Sequence, residues 1–186
     1  MSNEKNSPVV WPLLKEESVL ETPIFSVHCQ TCRSPKDGQD KGFYVLKSGD
    51  WAQALAITKK GEAVLVRQFR QGSRELSLEL PGGVIEKGQT PLAAAQRELR
   101  EETGYTAPKW RKLATFKPNP AVRNNLAHLF LAEEAELTET TEFDENEDLE
   151  LITVPLARLK EMVMNGEIDH AIMAAGILYY FNETAN

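Results

Sequence analysis

Cysteine and histidine are scarce in this 186-residue chain, which contains two cysteines and three histidines. Cys29 and Cys32 form one C-x-x-C pair, and no second pair supplies the other two ligands of a zinc site. His28 is adjacent to the pair, but the other two histidines are isolated in the sequence. We therefore interpret the cysteines as free thiols on a strand rather than as half of a metal site or a redox pair.

Long apolar runs are absent, and none approaches the length of a membrane span. The N-terminus is polar and lacks the basic segment and apolar core of a signal peptide. Hydrophobic residues make up 41% of the chain and charged residues 26%, which is ordinary for a soluble globular protein. We therefore expect a cytoplasmic protein with no membrane partner, formed by one domain with a small appendage.

Basic residues are absent between Arg123 and Arg158, whereas residues 133–150 contain ten acidic residues. The net charge of the whole chain is −7. A globally acidic chain argues against nucleic acid as a partner. It leaves open the binding of a single nucleotide through a metal ion.

The N-terminal region, residues 1–50, contains a predicted β-hairpin. Residues 1–18 are expected to be a loosely packed lead-in, followed by strands at 24–33 and 42–47 that the turn sequence SPKDGQDKG connects. A two-stranded hairpin is too small to be stable alone. It must therefore pack on the main domain or on a second subunit.

The main domain, residues 51–186, mixes strands and helices. Apolar strands flank the Lys59-Lys60-Gly61 turn, and LSLEL forms the next strand. Further strands are predicted at 112–116, 127–132 and 149–154, and helices at 91–103, 156–165 and 168–181. This order predicts a layered α/β (α+β) domain.

The helix at 91–103 has clear start and stop signals. Thr90 is a favourable N-cap, Pro91 suits the first helical position, and Gly104 is the expected C-terminal glycine. Leu92, Ala95 and Leu99 form its apolar stripe.

Three glutamates of this helix, Glu98, Glu101 and Glu102, lie beside the apolar stripe at i, i+3 and i+4. Arg97 can reach Glu101, whereas Arg100 is expected to point away, so the acids are incompletely neutralised. Hard carboxylate oxygens suit Mg²⁺ or Mn²⁺. The alternative is a charged surface helix, which charge alone favours. The Gly-Gly turn before the helix reverses that preference, because it lets the backbone approach an ion or phosphate closely.

At this point the sequence resembles the Nudix hydrolases. Their motif is G-x5-E-x7-R-E-U-x-E-E-x-G-U, and every fixed position matches except Gln89, which stands where the family has glutamate. The match runs over 23 positions, with the fixed residues Gly83, Gln89, Arg97, Glu98, Leu99, Glu101, Glu102, Gly104 and Tyr105. The wider resemblance covers roughly residues 20 to 180.

The resemblance implies a Nudix-type α/β/α sandwich with a mixed sheet and a Mg²⁺-dependent pyrophosphohydrolase. Metal binding is then expected at Glu98, Glu101 and Glu102, together with the backbone carbonyl of Gly82. Arg97 is expected to orient these carboxylates. Gln89 cannot form the usual ion pair with Arg97, but the metal-binding acids are all present, so we expect activity to survive.

The segments RQFRQG and LSLELPGG resemble the branch that hydrolyses ADP-ribose and nucleoside diphosphate sugars. By this resemblance Arg70 is a candidate phosphate contact and Glu79 assists at the metal site. The alternatives are a solvated charge at Arg70 and a salt bridge at Glu79. The segment around Pro120 departs from the usual pattern of the ADP-ribose branch, which leaves nucleotide sugars open as substrates.

An acidic segment, residues 142–148, precedes the last predicted strand. In the branch that the chain resembles, a glutamate at this place acts as a base or as an extra metal ligand. Glu147 is the first candidate and Glu145 the second, and the alternative is a solvated acidic loop.

The N-terminal region also resembles that branch, whose members often form homodimers in which this region helps to bind the substrate. Trp51, Phe43 or Tyr44 could stack on a nucleobase, although core or interface packing is the favoured interpretation. Two other functions remain open: hydrolysis of nucleoside triphosphates or RNA caps, and a catalytically weak module that senses a nucleotide.

Overall fold

The computed structural model describes residues 7–142 and 148–184. It divides into two compact units. The first contains the chain up to Ser48 and the segment Asn119–Asn125, and the second contains Gly49–Pro118 and the chain from Leu126 onward. Glu145 and Glu147, the candidate bases, lie outside the described residues.

The first unit is an antiparallel sheet of three strands in the order β1-β2-β3, formed by β1 (Leu13–Glu21), β2 (Phe25–Arg33) and β3 (Asp40–Ser48). The predicted hairpin, β2 with β3, is confirmed. The prediction of a loose lead-in is wrong for residues 13–18, because they belong to β1. All nine residues of β1 are exposed, and a strand that buries neither face has no apolar alternation by which the sequence could reveal it.

The two cysteines lie three residues apart on β2, opposite Tyr44 and Lys41 of β3. Side chains three apart on a strand point to opposite faces of the sheet. Both thiols are free in this structure, and their opposite directions do not bring them together as a pair.

The described part of the second unit contains an eight-stranded sheet and three helices. The strands are β4 (Trp51–Thr58), β5 (Glu62–Arg70), β6 (Glu75–Glu79), β7 (Gly82–Val84), β8 (Tyr105–Thr106), β9 (Lys109–Phe116), β10 (Ala127–Leu137) and β11 (Leu149–Pro155). The helices are α1 (Pro91–Thr103), α2 (Leu156–Met164) and α3 (Ala171–Thr184). None of these helices is long and apolar enough to cross a membrane.

The sheet is mixed, as expected. Its main path is β11-β5-β4-β10-β8, with β6 on β5, β7 on β4 and β9 on β10. The pairing of β4 with β10 is parallel, and the other pairings are antiparallel.

Strand β4 separates the two cores of this unit. Ala52, Ala54 and Ala56 pack on the face that carries α1, and their small side chains let the helix approach the sheet closely. Leu55 packs on the opposite face with residues of α2 and α3. The sheet therefore lies between helical layers, which confirms the predicted α/β/α sandwich. Gln53 also points away from the alanine face. It is a polar residue that is only 5% exposed, among neighbours that are apolar.

Candidate active site

The ends of α1 fix the helix that carries the acidic residues. The Thr90 hydroxyl accepts a hydrogen bond from the Ala93 N–H at 3.2 Å, and Pro91 occupies the first helical turn. Gly104 ends the helix with φ 71° and donates its N–H to the Arg100 carbonyl at 2.8 Å. The predicted start and end of the helix are both confirmed.

Two of the three glutamates, Glu98 and Glu102, are buried, with 8% and 4% of their surface exposed. They line a cavity of about 340 Å³ together with Gly82 and Gly83, which belong to strand β7 and not to the turn that the sequence predicted. Glu102 accepts a hydrogen bond from the Gly82 N–H at 2.8 Å, and Glu98 accepts one from Arg97 at 2.7 Å. These hydrogen bonds offset the cost of removing the carboxylates from water.

The two glycines of β7 permit this close packing. A Cβ atom on Gly83 would lie 2.4 Å from Oε1 of Glu98, and one on Gly82 would lie 2.4 Å from the Ala52 carbonyl oxygen. A side chain at Gly83 would therefore displace the Glu98 carboxylate, and one at Gly82 would disturb the pairing of β7 with β4.

Glu101, the third glutamate, lies outside the residues that line this cavity. It binds Arg97 and Arg100, each at 2.7 Å. The expectation that Arg100 points away is therefore wrong, and Arg100 also reaches Glu142 at 2.9 Å. A helical projection gives the direction of the Cβ atom, but a long arginine side chain can bend back across the helix surface.

The electrostatics of the arginines agree with these contacts. Burial lowers the pKa of Arg97, but its bonds to Glu101 and Glu98 outweigh burial and raise the pKa above the ordinary value. The hydrogen bond to Glu142 is the main cause that raises the pKa of Arg100. Both guanidinium groups therefore stay charged and hold the carboxylates in place.

No group of three histidine, cysteine or acidic side chains within residues 7–142 and 148–184 is arranged to hold a metal ion by itself. Mg²⁺ does not require such a cage, because it is commonly held by one or two carboxylates, water and the phosphates of a substrate. Two buried carboxylates beside the Gly82 backbone provide hard oxygen donors of this kind. The residues present therefore fit a magnesium or manganese ion.

Arg70, at the end of β5, lies on the same cavity wall. Its guanidinium group donates two hydrogen bonds to Glu79, at 2.7 and 2.6 Å. Glu79 is 1% exposed, whereas the Arg70 side chain is 44% exposed. The salt-bridge alternative for Glu79 is thus observed, and the same bridge holds Arg70 at the edge of the cavity.

The pKa of Glu79 reflects this ion pair. Burial raises the pKa of the carboxyl group, but the hydrogen bonds and charge of Arg70 outweigh burial and leave the pKa below its ordinary value. Glu79 is therefore ionised at neutral pH, and Arg70 keeps a fixed partner.

Gln89, the one departure from the motif, is hydrogen-bonded to Glu86 instead of to the metal-site acids. Its amide accepts from the Glu86 N–H and donates to the Glu86 carboxylate, both at 3.3 Å. Glu86 also lies 4.0 Å from Arg97. A carboxylate is therefore near Arg97 even though position 89 is neutral.

Sequence reasoning missed a second group of residues beside the site. Gln53, His170 and Met173 line a neighbouring cavity together with Trp51. The signal at Gln53 was available, because this polar residue interrupts an apolar strand. His170 and Met173 gave no such signal, since the fold alone brings them near β4.

Comparisons with known proteins agree with this architecture. The NUDIX domain family model matches residues 51–173. The ADP-ribose pyrophosphatase of Bacillus subtilis (strain 168) is 36% identical over 172 residues, which cover 89% of this chain and 92% of that protein. The GDP-mannose pyrophosphatase of Escherichia coli O9:H4 (strain HS) is 33% identical over 167 residues, with 83% and 87% covered.

The fold has a solved counterpart in a crystal structure described as an ADP compounds hydrolase. The TM-score is 0.85 at 20% sequence identity, and 96% of each chain is covered. This likeness supports the fold alone. The family model spans most of the chain and includes the cavity of Glu98 and Glu102, so the chain belongs to the NUDIX domain family.

Proposed function

We propose that this protein hydrolyses the pyrophosphate bond of a nucleoside diphosphate linked to a sugar, with Mg²⁺ or Mn²⁺ as cofactor. The products are a nucleoside monophosphate and a sugar phosphate, and the leading substrates are ADP-ribose and nucleotide sugars. The observation that carries the proposal is the cavity that contains the buried carboxylates of Glu98 and Glu102 beside Arg70. It combines ligands for a cation with a donor for phosphate oxygens.

Glu98, Glu102 and the carbonyl of Gly82 are the proposed metal ligands. The bound cation would offset the charge of the pyrophosphate and polarise a phosphorus atom. Arg97 holds Glu98, and the Gly82 N–H holds Glu102. These contacts keep the two carboxylates in one geometry before the substrate arrives, which avoids reorganisation during the reaction.

Glu101 has a different environment from the other two acids. Its bonds to Arg97 and Arg100 support a role in fixing the arginines, with metal contact available if the side chain turns toward the cavity. We propose it as the outermost of the three metal-binding acids.

Arg70 is the proposed phosphate contact. Its planar guanidinium group can bind two oxygens of one phosphate, and its exposed part faces the cavity. Glu79 is a positioning residue in this proposal, because its carboxylate holds Arg70 from the buried side.

Glu147, with Glu145 as second choice, remains the proposed base that activates the attacking water. Both lie outside the described residues, but the chain just before them is attached to α1. The Glu142 N–H donates to the Glu101 carbonyl at 2.9 Å, and the Glu142 carboxylate accepts from Arg100. This attachment supports a catalytic glutamate a few residues further along.

We also propose that the protein forms a homodimer through its first unit. Ten of the 17 large hydrophobic residues exposed in the described chain belong to that unit, among them Leu13, Val19 and Tyr44. A concentration of exposed apolar residues is typical of an interaction surface. Light scattering at micromolar concentrations should give the mass of two chains, and a monomeric mass would contradict the proposal.

The cytoplasm is the proposed location. The low cysteine content of the chain, two residues in 186, is typical of proteins of a reducing compartment.

A substrate panel tests the proposed function. ADP-ribose, ADP-glucose, GDP-mannose and nucleoside triphosphates are each incubated with the protein and Mg²⁺, and kcat/KM is determined for each. We expect the nucleoside diphosphate sugars to exceed the triphosphates. Turnover of triphosphates alone would overturn the substrate class.

A further inference from the structure

A second cavity, of about 250 Å³, adjoins the cavity of Glu98 and Glu102. The two cavities share four wall residues: Arg70, Gly82, Gly83 and Val84. A group in the second cavity therefore lies next to the proposed pyrophosphate site. In a nucleoside diphosphate sugar, the groups bonded directly to the pyrophosphate are sugars, whereas the nucleobase is one ring further away.

The size of the second cavity favours the end of the substrate that has no base. Pockets for drug-sized ligands measure about 300–1,000 Å³, so a cavity of about 250 Å³ suits a single sugar ring. Trp51, Val84 and Met173 provide apolar surface, against which the C–H face of a sugar ring can pack.

Gln53 and His170 provide the polar part of the wall. Within residues 7–142 and 148–184, the Oε1 atom of Gln53 and the Nδ1 atom of His170 are buried without a hydrogen-bond partner. A buried polar atom left unpaired costs about 1–3 kcal/mol, and such atoms in a native protein require an explanation.

Sugar hydroxyls are the groups that suit these atoms once the side chains of Gln53 and His170 turn toward the cavity. An amide can present either its oxygen or its nitrogen after a half turn, and the imidazole Nδ1 is a donor or an acceptor according to the tautomer. A hydroxyl group donates and accepts hydrogen bonds, so it can pair with either state. A nucleobase edge has a fixed pattern of donors and acceptors and matches fewer of these states.

We infer that this second cavity binds the terminal sugar of the substrate and that Gln53 and His170 select among sugars. This inference rests on the proposed function, because it assigns the part of the substrate that lies beside the metal site. Gln53 and His170 are thus specificity-determining residues that no resemblance to the family assigned.

A kinetic comparison tests the inference with pairs of substrates. GDP-mannose and GDP-glucose differ only in the sugar, whereas ADP-glucose and GDP-glucose differ only in the base. In His170→Ala and in Gln53→Ala, we expect the ratio of kcat/KM for the sugar pair to change by about tenfold or more. The ratio for the base pair should change by less than about twofold.

The matched control is Gln96→Ala. Gln96 is exposed on α1 and lines neither of the two cavities, so both ratios should equal those of the unchanged protein. A change in the base ratio without a change in the sugar ratio would assign the cavity to the base and overturn the inference. Two unchanged ratios in variants that retain activity would show that the cavity does not contact the substrate, which also overturns it.

A binding measurement separates failure of this inference from failure of the proposed function. Loss of the function would appear as absence of turnover on every nucleoside diphosphate sugar by the unchanged protein. Calorimetric titration with ribose 5-phosphate needs no turnover, and we expect its affinity to fall about tenfold in His170→Ala while AMP affinity stays the same. The sugar assignment would be overturned if the variant and the unchanged protein bound ribose 5-phosphate with equal affinity. It would also be overturned if ribose 5-phosphate bound to neither protein.

Discussion

Gly83→Ala isolates the contact between strand β7 and helix α1, which carries the proposed metal ligands. The backbone of Gly83 does not have a positive φ angle, so alanine is compatible with the conformation of the main chain. The new Cβ atom would lie 2.4 Å from Oε1 of Glu98, whereas ordinary contact begins at 3.4 Å. The carboxylate must therefore retreat by about 1 Å, while the fold around it stays intact.

A displacement of about 1 Å at a catalytic group can reduce the rate about 100-fold, which corresponds to nearly 3 kcal/mol of barrier. We expect kcat of Gly83→Ala to fall by about this factor at saturating Mg²⁺. The assay is steady-state hydrolysis of ADP-ribose and GDP-mannose, with thermal unfolding measured in parallel.

Gly72→Ala is the matched control. Gly72 also lacks a positive φ angle, and a Cβ atom there meets nothing within 4 Å. We expect unchanged kcat and a gain of about 0.4–1 kcal/mol in stability from the less flexible unfolded chain. Normal kcat in Gly83→Ala would refute the placement of Glu98 beside Gly83 as a requirement for catalysis.

Three further substitutions test other parts of the site. Glu102→Gln should lower kcat by about two orders of magnitude because it removes charge from the ion site, and near-normal kcat would exclude Glu102 as a ligand. Glu79→Gln should cost about 2 kcal/mol of unfolding free energy at pH 7. The folded-state pKa of Glu79 lies below the ordinary value of 4.5. The stabilisation from the ion pair with Arg70 is therefore complete above pH 4.5, and it is lost as the pH falls through the folded-state pKa. A difference between the two proteins that did not shrink in acid would contradict the Arg70 ion pair. Gln89→Glu should leave kcat nearly unchanged. Its interaction with the helix dipole should add about 0.3–1 kcal/mol of stability, reduced by repulsion from Glu86. A gain of about 100-fold in kcat would show that Gln89 impairs the enzyme.

The sequence contained enough information to predict the helix and both of its ends. Thr90, Pro91 and Gly104 act locally, so their signals depend little on the rest of the fold. The apolar runs of β4 and β5 were equally clear, because the central residues of both strands are buried on both faces of the sheet.

The parts that could not be predicted depend on the third dimension. Strand β1 is exposed throughout, and its partner is chosen by backbone pairing. The segment Asn119–Asn125 joins the first unit through a backbone hydrogen bond between Leu46 and Val122, far away in the sequence. No local pattern records such a contact.

The side-chain geometry of the site was also beyond sequence reasoning. Spacing on a helical wheel grouped Glu98, Glu101 and Glu102 together, but the arginines draw Glu101 away from the cavity. The register of β5 with β6 places Arg70 opposite Glu75, whereas the Arg70 side chain binds Glu79 further along β6, so the ion pair could not be predicted from strand pairing. His170 enters the site through the position of α3, which is fixed by packing on the sheet.

Product analysis with and without metal is the most direct test of the central claim. The purified protein is incubated with ADP-ribose and Mg²⁺, and the products are separated before and after addition of excess EDTA. The account predicts AMP and ribose 5-phosphate in equal amounts with Mg²⁺, and no cleavage in EDTA. Cleavage that persists in EDTA, or products that leave the pyrophosphate intact, would contradict it.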